Sequence, residues 1–256
     1  MILTDLISEN YNKLNKNDLK IYSYILLDKK RFLGLNISEL AEALDLVPSS
    51  IVSFSKKLGL DGYSELRYIV KWSGKESSGF DDNEIEYSKN DLLLTMTMMI
   101  SLNLDELFKK LDKANRIYAM ASGYTQKNAA DELKRNFLIV DKIVYVIDKN
   151  IPSTILNNIK EDDVLFVLSL SGENKEVLRF LNKLPSRPTV ASITRLSNNT
   201  LSKRSDVNIP FVTHRVFEYD SRTEISPISQ FYVVIDFIIL KYLSYKEKNT
   251  TIDNNI

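Results

Sequence analysis

The spacing of hydrophobic positions changes along this 256-residue chain and divides it into two parts. Up to about residue 75, apolar residues recur every three or four positions, which is the period of amphipathic helices. From Arg116 onward, short apolar and β-branched runs alternate with helical stretches. Buried strands that alternate with helices are typical of a parallel sheet covered on both faces. The pattern therefore predicts an α + α/β protein, with an all-helical N-terminal domain followed by a layered domain built on a parallel sheet.

A change in composition marks the boundary between the two parts. After Trp72 the chain reads SGKESSGFDDNEIE, in which Ser, Gly and Asp cluster as they do in linkers. We predict a helical domain over residues 1–75, a linker over 76–83, a sheet-containing domain over 84–245 and a polar C-terminal tail over 246–256.

Residues 36–63 predict two short helices joined by a tight turn. Ser38 is expected to cap the first helix, and the turn covers residues 45–47. Pro48 suits the first position of the second helix, which Gly59 is placed to end. The inward face of that helix is predicted to carry Ile51, Phe54 and Leu58. A short polar helix with lysines at its end suits a DNA major groove, although the same pattern fits any packed helical hairpin.

Charge limits how this domain could bind DNA. The chain has 34 basic and 34 acidic side chains, which argues against binding to nucleic acid through general basicity. Contacts must therefore come from local placement, and a dimer would double them. The residues that we expect to contact DNA are Ser49, Ser50, Ser53, Lys56, Lys57 and Tyr63.

Composition also excludes several classes of site. The chain contains no cysteine and one histidine, His214, which removes disulfides, thiol nucleophiles and most zinc sites. We therefore predict no metal site, no cofactor and no catalytic residue. The acidic N-terminus MILTDLISEN is unlike a signal peptide, and the apolar run at 231–240 is about half of a membrane span. We expect a cytoplasmic protein with no membrane partner.

Glycine is scarce after the linker, and its two positions coincide with predicted strand ends. Gly123 and Gly172 each stand beside hydroxyl residues where a strand gives way to a helix. Ligands bind at the carboxyl ends of strands in open α/β sheets, and such loops offer N–H groups and hydroxyls to a phosphate. One such loop alone could simply cap a helix, but two at consecutive strand ends favour a ligand site.

Several phrases in the first 75 residues keep the spacing of a known family. ISELAEAL, SIVSFSKKLG and GYSELR resemble the N-terminal domain of the RpiR/MurR family of bacterial transcription regulators. The resemblance implies that operator DNA is a partner. Asp45, Val47 and Ser53 stand where the family usually has Gly, a capping Ser and Arg. An arginine fork to guanine is worth about 1–3 kcal/mol, so Ser53 implies an altered or relaxed sequence preference, or weaker binding.

The second half resembles another family over about residues 116–210. VLFVLSLSGENKEV is similar to the most specific motif of the SIS (sugar isomerase) domain, a flavodoxin-like αβα sandwich that binds phosphorylated sugars. Ala121 stands where that family tends to have Gly, which could reshape the pocket entrance. The resemblance, together with the two glycine loops, implies a ligand site made of Ser122, Gly123, Thr125, Ser169, Ser171, Gly172, Glu173, Asn174 and Thr194. Among these, Ser169, Ser171 and Asn174 are expected to hold the phosphate, and Glu173 is expected to lie near the sugar hydroxyls.

Together the two resemblances imply a transcription regulator of carbohydrate metabolism that senses a phosphorylated sugar, as a homodimer or homotetramer. One alternative is a sugar-phosphate isomerase or etherase. The single histidine, and the lack of a second acid or base beside Glu173 or Glu218, argue against it. The other alternative is a degenerate regulator that no longer binds a sugar phosphate.

Overall fold

The computed structural model describes residues 3–72, 84–148, 152–214, 216–218 and 224–253. The predicted linker at 76–83 lies outside these residues. The chain divides into two compact units, one of residues 1–94 with 213–227 and the other of residues 95–212 with 228–256. This division differs from the predicted boundaries, because residues 84–94 and 213–227 group with the helical unit.

The elements follow one another in the order expected for a helical unit and an α/β unit. The helices are α1 Leu3–Asn10, α2 Lys16–Leu27, α3 Lys29–Gly34, α4 Ile37–Ala43, α5 Pro48–Lys57, α6 Tyr63–Trp72, α7 Glu84–Ser101, α8 Asp105–Lys113, α9 Tyr124–Ile139, α10 Ser153–Leu156, α11 Lys175–Lys183, α12 Thr200–Arg204 and α13 Ser229–Asp253, with a 3-10 turn at Tyr11–Lys13. The strands are β1 Ile117–Ala121, β2 Val144–Ile147, β3 Val164–Ser169, β4 Thr189–Arg195, β5 Val207–Phe211, β6 Phe217–Glu218 and β7 Glu224–Ile225.

The N-cap of helix α4 lies two residues earlier than the sequence suggested. Asn36 is the N-cap: its side chain accepts hydrogen bonds from Ser38 N and Glu39 N, and the Glu39 carboxylate accepts one from Asn36 N at 2.7 Å. The prediction that Ser38 caps this helix is wrong. Asn36 has the extended backbone that an N-cap needs, whereas Ser38 already lies in the first helical turn.

Helix α5 begins and ends as predicted. Pro48 occupies its first turn, and its inward residues are fully buried. At its end, Gly59 has φ +78°, Gly59 N donates to Lys56 O, and Leu60 N donates to Ser55 O. These two hydrogen bonds form a Schellman motif, which requires the left-handed conformation that glycine adopts without strain.

The second unit contains, among the described residues, one parallel sheet of five strands in the order β2-β1-β3-β4-β5. Alternate residues of β3 face opposite cores. Phe166 and Leu168 pack with α8, α9 and α13, while Leu165 and Val167 pack with α11 and α12. The predicted αβα sandwich with a flavodoxin-like parallel sheet is confirmed. In strand β5, Asn208 and Pro210 interrupt the apolar run.

Helix α13 continues through Asp253 and so enters the segment predicted as a polar tail. Within it, Lys246 Nζ lies 3.4 Å from both carboxylate oxygens of Asp112 in α8. This contact between α13 and α8 is polar and comes after the apolar stretch of α13.

Candidate functional site

The turn between α4 and α5 contains a residue with a positive φ, Asp45, and is contacted by the side chain of Lys20. Asp45 has φ +51°, a left-handed conformation that costs non-glycine residues free energy. Lys20 Nζ donates to Leu44 O at the end of α4. Asp45 thus adopts, at the turn, the backbone conformation that glycine adopts without strain.

The solvent-facing side of α5 carries the residues expected to read DNA. Ser49, Ser53 and Lys56 are exposed, and Ser50 is half-buried. Val47, the N-cap, makes no side-chain capping bond and is 60% exposed. The first turn of α5 therefore presents the Ser49 hydroxyl, and part of the Ser50 side chain, to solvent, an arrangement suited to a base edge or a phosphate oxygen.

Two other residues expected to contact DNA are engaged within the protein. Lys57 Nζ lies 2.6 Å from Asp18 Oδ2, whose side chain is almost fully buried. The Tyr63 hydroxyl donates to Leu35 O at 2.9 Å, and the Arg67 guanidinium lies over the Tyr63 ring. Lys56 is left as the exposed cation at the end of α5.

In the second unit, the two glycine-containing loops meet at the point where strand order reverses. We name residues 121–126 the β1 loop, residues 169–174 the β3 loop and residues 195–199 the β4 loop. Because β1 lies between β2 and β3, the chain turns in opposite directions from β1 and from β3. Ser122 N donates to Leu168 O at 3.0 Å, and Asn174 Nδ2 contacts Ser122 O at 3.4 Å. This is the topological switch point, where open α/β sheets bind ligands.

The β3 loop is held in shape by its own side chains. Ser169 Oγ accepts a hydrogen bond from Gly172 N, and Ser171 Oγ accepts one from Glu173 N. Asn174 Oδ1 caps α11 by accepting from Glu176 N and Val177 N. Ser169 is 1% exposed, whereas Ser171 is exposed to solvent. Of the three residues expected to hold a phosphate, Ser171 is thus the most accessible.

The β1 loop is open by comparison. Gly123 is the N-cap of α9 and offers no side chain to cap it, so the helix begins with uncapped N–H groups. Ser122 and Thr125 are half-buried on either side of it. N–H groups without a side-chain cap at the start of a helix favour an anion such as phosphate.

Glu173 and Thr194, which the sequence predicted as ligand-site residues, both make contacts inside the protein. The Glu173 carboxylate accepts from Thr200 N at 2.7 Å and from Thr200 Oγ1 at 2.9 Å. Thr194 is fully buried and donates to Asn208 Oδ1. The sequence reasoning had missed Thr200 and its neighbour Asn199. The signal available was an Asn-Thr pair just before a short helix, which is a capping pattern.

His214 lies in the first unit between two carboxylates. Its Nδ1 is 2.6 Å from Asp91 Oδ2, its Nε2 is 2.6 Å from Glu84 Oε2, and its backbone N donates to Asp91 at 2.8 Å. Burial lowers the pKa of the imidazole, but hydrogen bonds and charge from Asp91 and then Glu84 outweigh this and raise the pKa above 6.5. The arrangement favours a protonated, structural histidine.

Comparisons with known proteins assign both units. A family model described as a helix-turn-helix domain of the rpiR family matches residues 1–77, and the SIS domain matches residues 110–219. Over 250 residues the chain is 32% identical to the HTH-type transcriptional regulator GlvR of Bacillus subtilis, with 96% of this chain and 97% of the relative covered. The chain belongs to the RpiR family.

Two further proteins are similar to this chain, one over nearly its whole length and one over its second part. An HTH-type transcriptional regulator of Caldanaerobacter subterraneus, TTE0211, is 26% identical over 267 residues and covers 97% of this chain, with 93% of its own length matched. The sugar isomerase domain of an RpiR transcription factor from Sphaerobacter thermophilus covers 65% of this chain and 97% of its own, at 11% identity and a TM-score of 0.50. That likeness concerns the fold alone.

The structure describes three positions that the sequence analysis singled out: Asp45 takes the left-handed turn conformation, Val47 leaves α5 without a side-chain cap, and Ser53 is exposed. Among the described helices, none combines the length and apolar character needed to cross a bilayer.

Proposed function

We propose that this RpiR-family protein is a transcription regulator of carbohydrate metabolism. Its helix-turn-helix binds operator DNA, and its SIS domain binds a phosphorylated sugar. The observation that supports the sensor role best is the pair of loops at the switch point, where Ser122 and Asn174 meet. The start of α9 has no side-chain cap and the Ser171 side chain is exposed, and both features suit a phosphate.

We propose that DNA is read by the first turn of α5 together with Lys56. Small hydroxyl side chains at Ser49, Ser50 and Ser53 reach base edges or phosphates but lack the bidentate fork of arginine. We therefore expect modest sequence discrimination by each copy, and a large share of the specificity to come from the spacing of two half-sites.

We propose that the regulator acts as a homodimer or homotetramer. On α13, Leu240 is 62% exposed and Leu243 is 47% exposed, and their spacing places both on one side of the helix. On α7, Ile100 is 68% exposed. Exposed apolar positions of this size favour association with a second copy. Sedimentation velocity of wild type and of Leu240→Glu tests this, with dissociation expected for the variant.

We infer that the chain is not an isomerase. A proton-transferring enzyme needs an acid or base free to reach the substrate. Both oxygens of Glu173 accept hydrogen bonds from Thr200, and both ring nitrogens of His214 face carboxylates. Turnover of a sugar phosphate that collapses in Glu173→Gln would overturn this inference.

A regulator of transcription acts where the DNA lies, so we expect this protein in the cytoplasm.

The experiment that tests the proposal is fluorescence anisotropy with DNA from upstream of the protein's own gene. Binding is measured across salt, with and without a panel of hexose 6-phosphates. We expect salt-sensitive binding above that of scrambled DNA, shifted by one compound. In Ser171→Ala we expect that shift to disappear, while DNA affinity without the compound stays near the wild-type value. Equal loss of both would contradict the division of roles between the two units.

A further inference from the structure

The β3 loop is packed against Asn199 at its tightest point. Gly172 has φ +67°, in the left-handed region that favours glycine. A Cβ atom at this position would lie 2.1 Å from Asn199 Oδ1, 2.3 Å from its Cγ and 2.9 Å from its Cβ. The backbone of the β3 loop therefore rests directly on the Asn199 side chain, with no room for any other residue than glycine.

Asn199 is itself locked in place. It is 2% exposed, and its Nδ2 donates to Thr194 Oγ1 at 3.2 Å and to Ser197 O at 3.1 Å. Its Oδ1 accepts from Ser202 N at 2.8 Å, so the same side chain caps α12. Both ends of the amide are therefore satisfied, and the side chain cannot turn away from Gly172 without breaking a buried hydrogen bond.

The residues on either side of Gly172 are tied to the same short helix. Leu201 N donates to Gly172 O at 3.0 Å. The Glu173 carboxylate accepts hydrogen bonds from both the backbone N–H and the hydroxyl of Thr200. One turn of chain, residues 199–201, thus contacts the β3 loop by packing, by a backbone hydrogen bond and by a charge-assisted bidentate contact.

We propose that Asn199 and Thr200 are positioning residues for a phosphate-bearing ligand: they hold the β3 loop in the shape that presents the Ser171 hydroxyl, without touching the ligand. This rests on the proposed sensor function of the SIS domain. A binding loop must be held to within about 0.5 Å for its hydrogen bonds to form well. A loop without this support would have to be ordered on binding, and affinity would fall accordingly.

Isothermal titration calorimetry on the full chain tests the proposal, with inorganic phosphate, glucose 6-phosphate and N-acetylglucosamine 6-phosphate as probes. Asn199→Ser keeps a capping oxygen but empties the space under Gly172. Thr200→Val keeps the shape and the backbone bond but removes the hydroxyl from Glu173. We expect the dissociation constant of the bound probe to rise about three- to tenfold in each, which is the effect of losing roughly one hydrogen bond.

Two further variants separate an effect on ligand positioning from an effect on the stability of the fold. Thr200→Ser retains the hydroxyl that Thr200→Val lacks and is expected to keep wild-type affinity. Asn198→Ser changes the exposed neighbour of Asn199 and serves as the matched control. Urea unfolding of every variant is measured in parallel. If Asn199→Ser does not fold, the comparison of Thr200→Val with Thr200→Ser decides the question alone.

The outcomes separate this proposal from the proposed function. If wild type binds none of the probes, both fail. If wild type binds a probe but Asn199→Ser and Thr200→Val bind it equally well, only the positioning role is overturned. Loss of stability with unchanged affinity for the probe in the folded variants would likewise overturn it, because Asn199 and Thr200 would then be structural alone.

Discussion

Lys57 and Asp18 form an ion pair across the helical unit, with Lys57 Nζ 2.6 Å from Asp18 Oδ2. Asp18 Oδ2 also accepts a hydrogen bond from Asn15 N at 2.7 Å, so the carboxylate closes the capping box of α2. A lysine at the end of the second helix of a helix-turn-helix is therefore used to fasten that helix to α2. Its neighbour Lys56 stays exposed.

From this pair we predict that the two lysines differ in effect. Lys57→Met should lower the free energy of unfolding by about 1–3 kcal/mol, because the buried Asp18 loses its charged partner. Lys56→Ala should leave stability within about 0.5 kcal/mol. It should instead weaken DNA binding across sequences and reduce the salt slope by about one. Urea unfolding and anisotropy across salt measure the two effects. A flattened salt slope without loss of stability in Lys57→Met would show that Lys57 leaves Asp18 to bind phosphate.

Asp45 carries a second prediction, which concerns the turn. Its φ of +51° is unfavourable for residues with a Cβ atom, at about 1–2 kcal/mol for most. Asp and Asn tolerate this region best, so Asp45→Ala should destabilise the protein by about 1 kcal/mol. Asp45→Gly should be neutral or slightly stabilising. Thermal unfolding measures both, and Asp141, with φ +57° after α9, offers a matched position. A stabilising Asp45→Ala would contradict the strain at this turn.

His214 carries a third prediction, on pH. Its pKa in the folded protein is raised above the ordinary 6.5 by Asp91 and Glu84, although burial works against them. The imidazole of His214 therefore binds a proton more tightly in the folded protein than in the unfolded chain. The stabilisation is complete below the unfolded pKa of about 6.5 and is lost as pH rises through the higher folded pKa.

Urea unfolding of wild type and His214→Gln across pH measures this contribution. We expect the stability difference between the two to shrink as pH rises above 7. Because the chain has one histidine, its imidazole NMR signals report the titration without ambiguity. A folded-state pKa below 6.5 would contradict the carboxylate contacts. The Tyr87 ring packs edge-on against the imidazole, with 5.9 Å between the ring centroids.

Gln230 carries a fourth prediction. It is fully buried near the start of α13, and its Oε1 and Nε2 have no hydrogen-bond partner in the described part of the chain. An unpaired buried amide costs about 1–3 kcal/mol. Gln230→Met, of similar shape, should therefore stabilise the protein, whereas Gln230→Glu should destabilise it by burying a charge. Thermal unfolding distinguishes them. Loss of stability in Gln230→Met would mean that an ordered water bonds the amide.

Several features of the fold could be predicted from local sequence because their causes are local. Pro48 and Gly59 set the bounds of α5 through backbone conformation, and Ile51, Phe54 and Leu58 are buried as their spacing predicts. The cap of α4 was misplaced by two residues. Asn36 and Ser38 are both good caps by type, and the choice depends on which backbone is extended.

Only part of the candidate ligand site could be predicted from local sequence. Its two loops were identified because glycine and hydroxyl residues follow buried strands in β1 and β3. The contacts of Asn199 and Thr200 with Gly172 and Glu173 were not, since 27 residues separate each pair and only the parallel pairing of β3 with β4 brings the loops together. The ion pair of Lys57 with Asp18 could not be predicted either, because 39 residues separate them in the chain.

The sequence by itself determined the family, the order of the elements and the two kinds of site, because motifs, periodicity and turn residues are local properties. The tertiary structure decided which side chains are available. It assigned Lys57 and Glu173 to internal partners and left Lys56 and Ser171 facing solvent. The physical reason is that a charged or polar group lowers the free energy by pairing with whatever the fold brings within about 3 Å, and that neighbour is set by packing rather than by position in the chain.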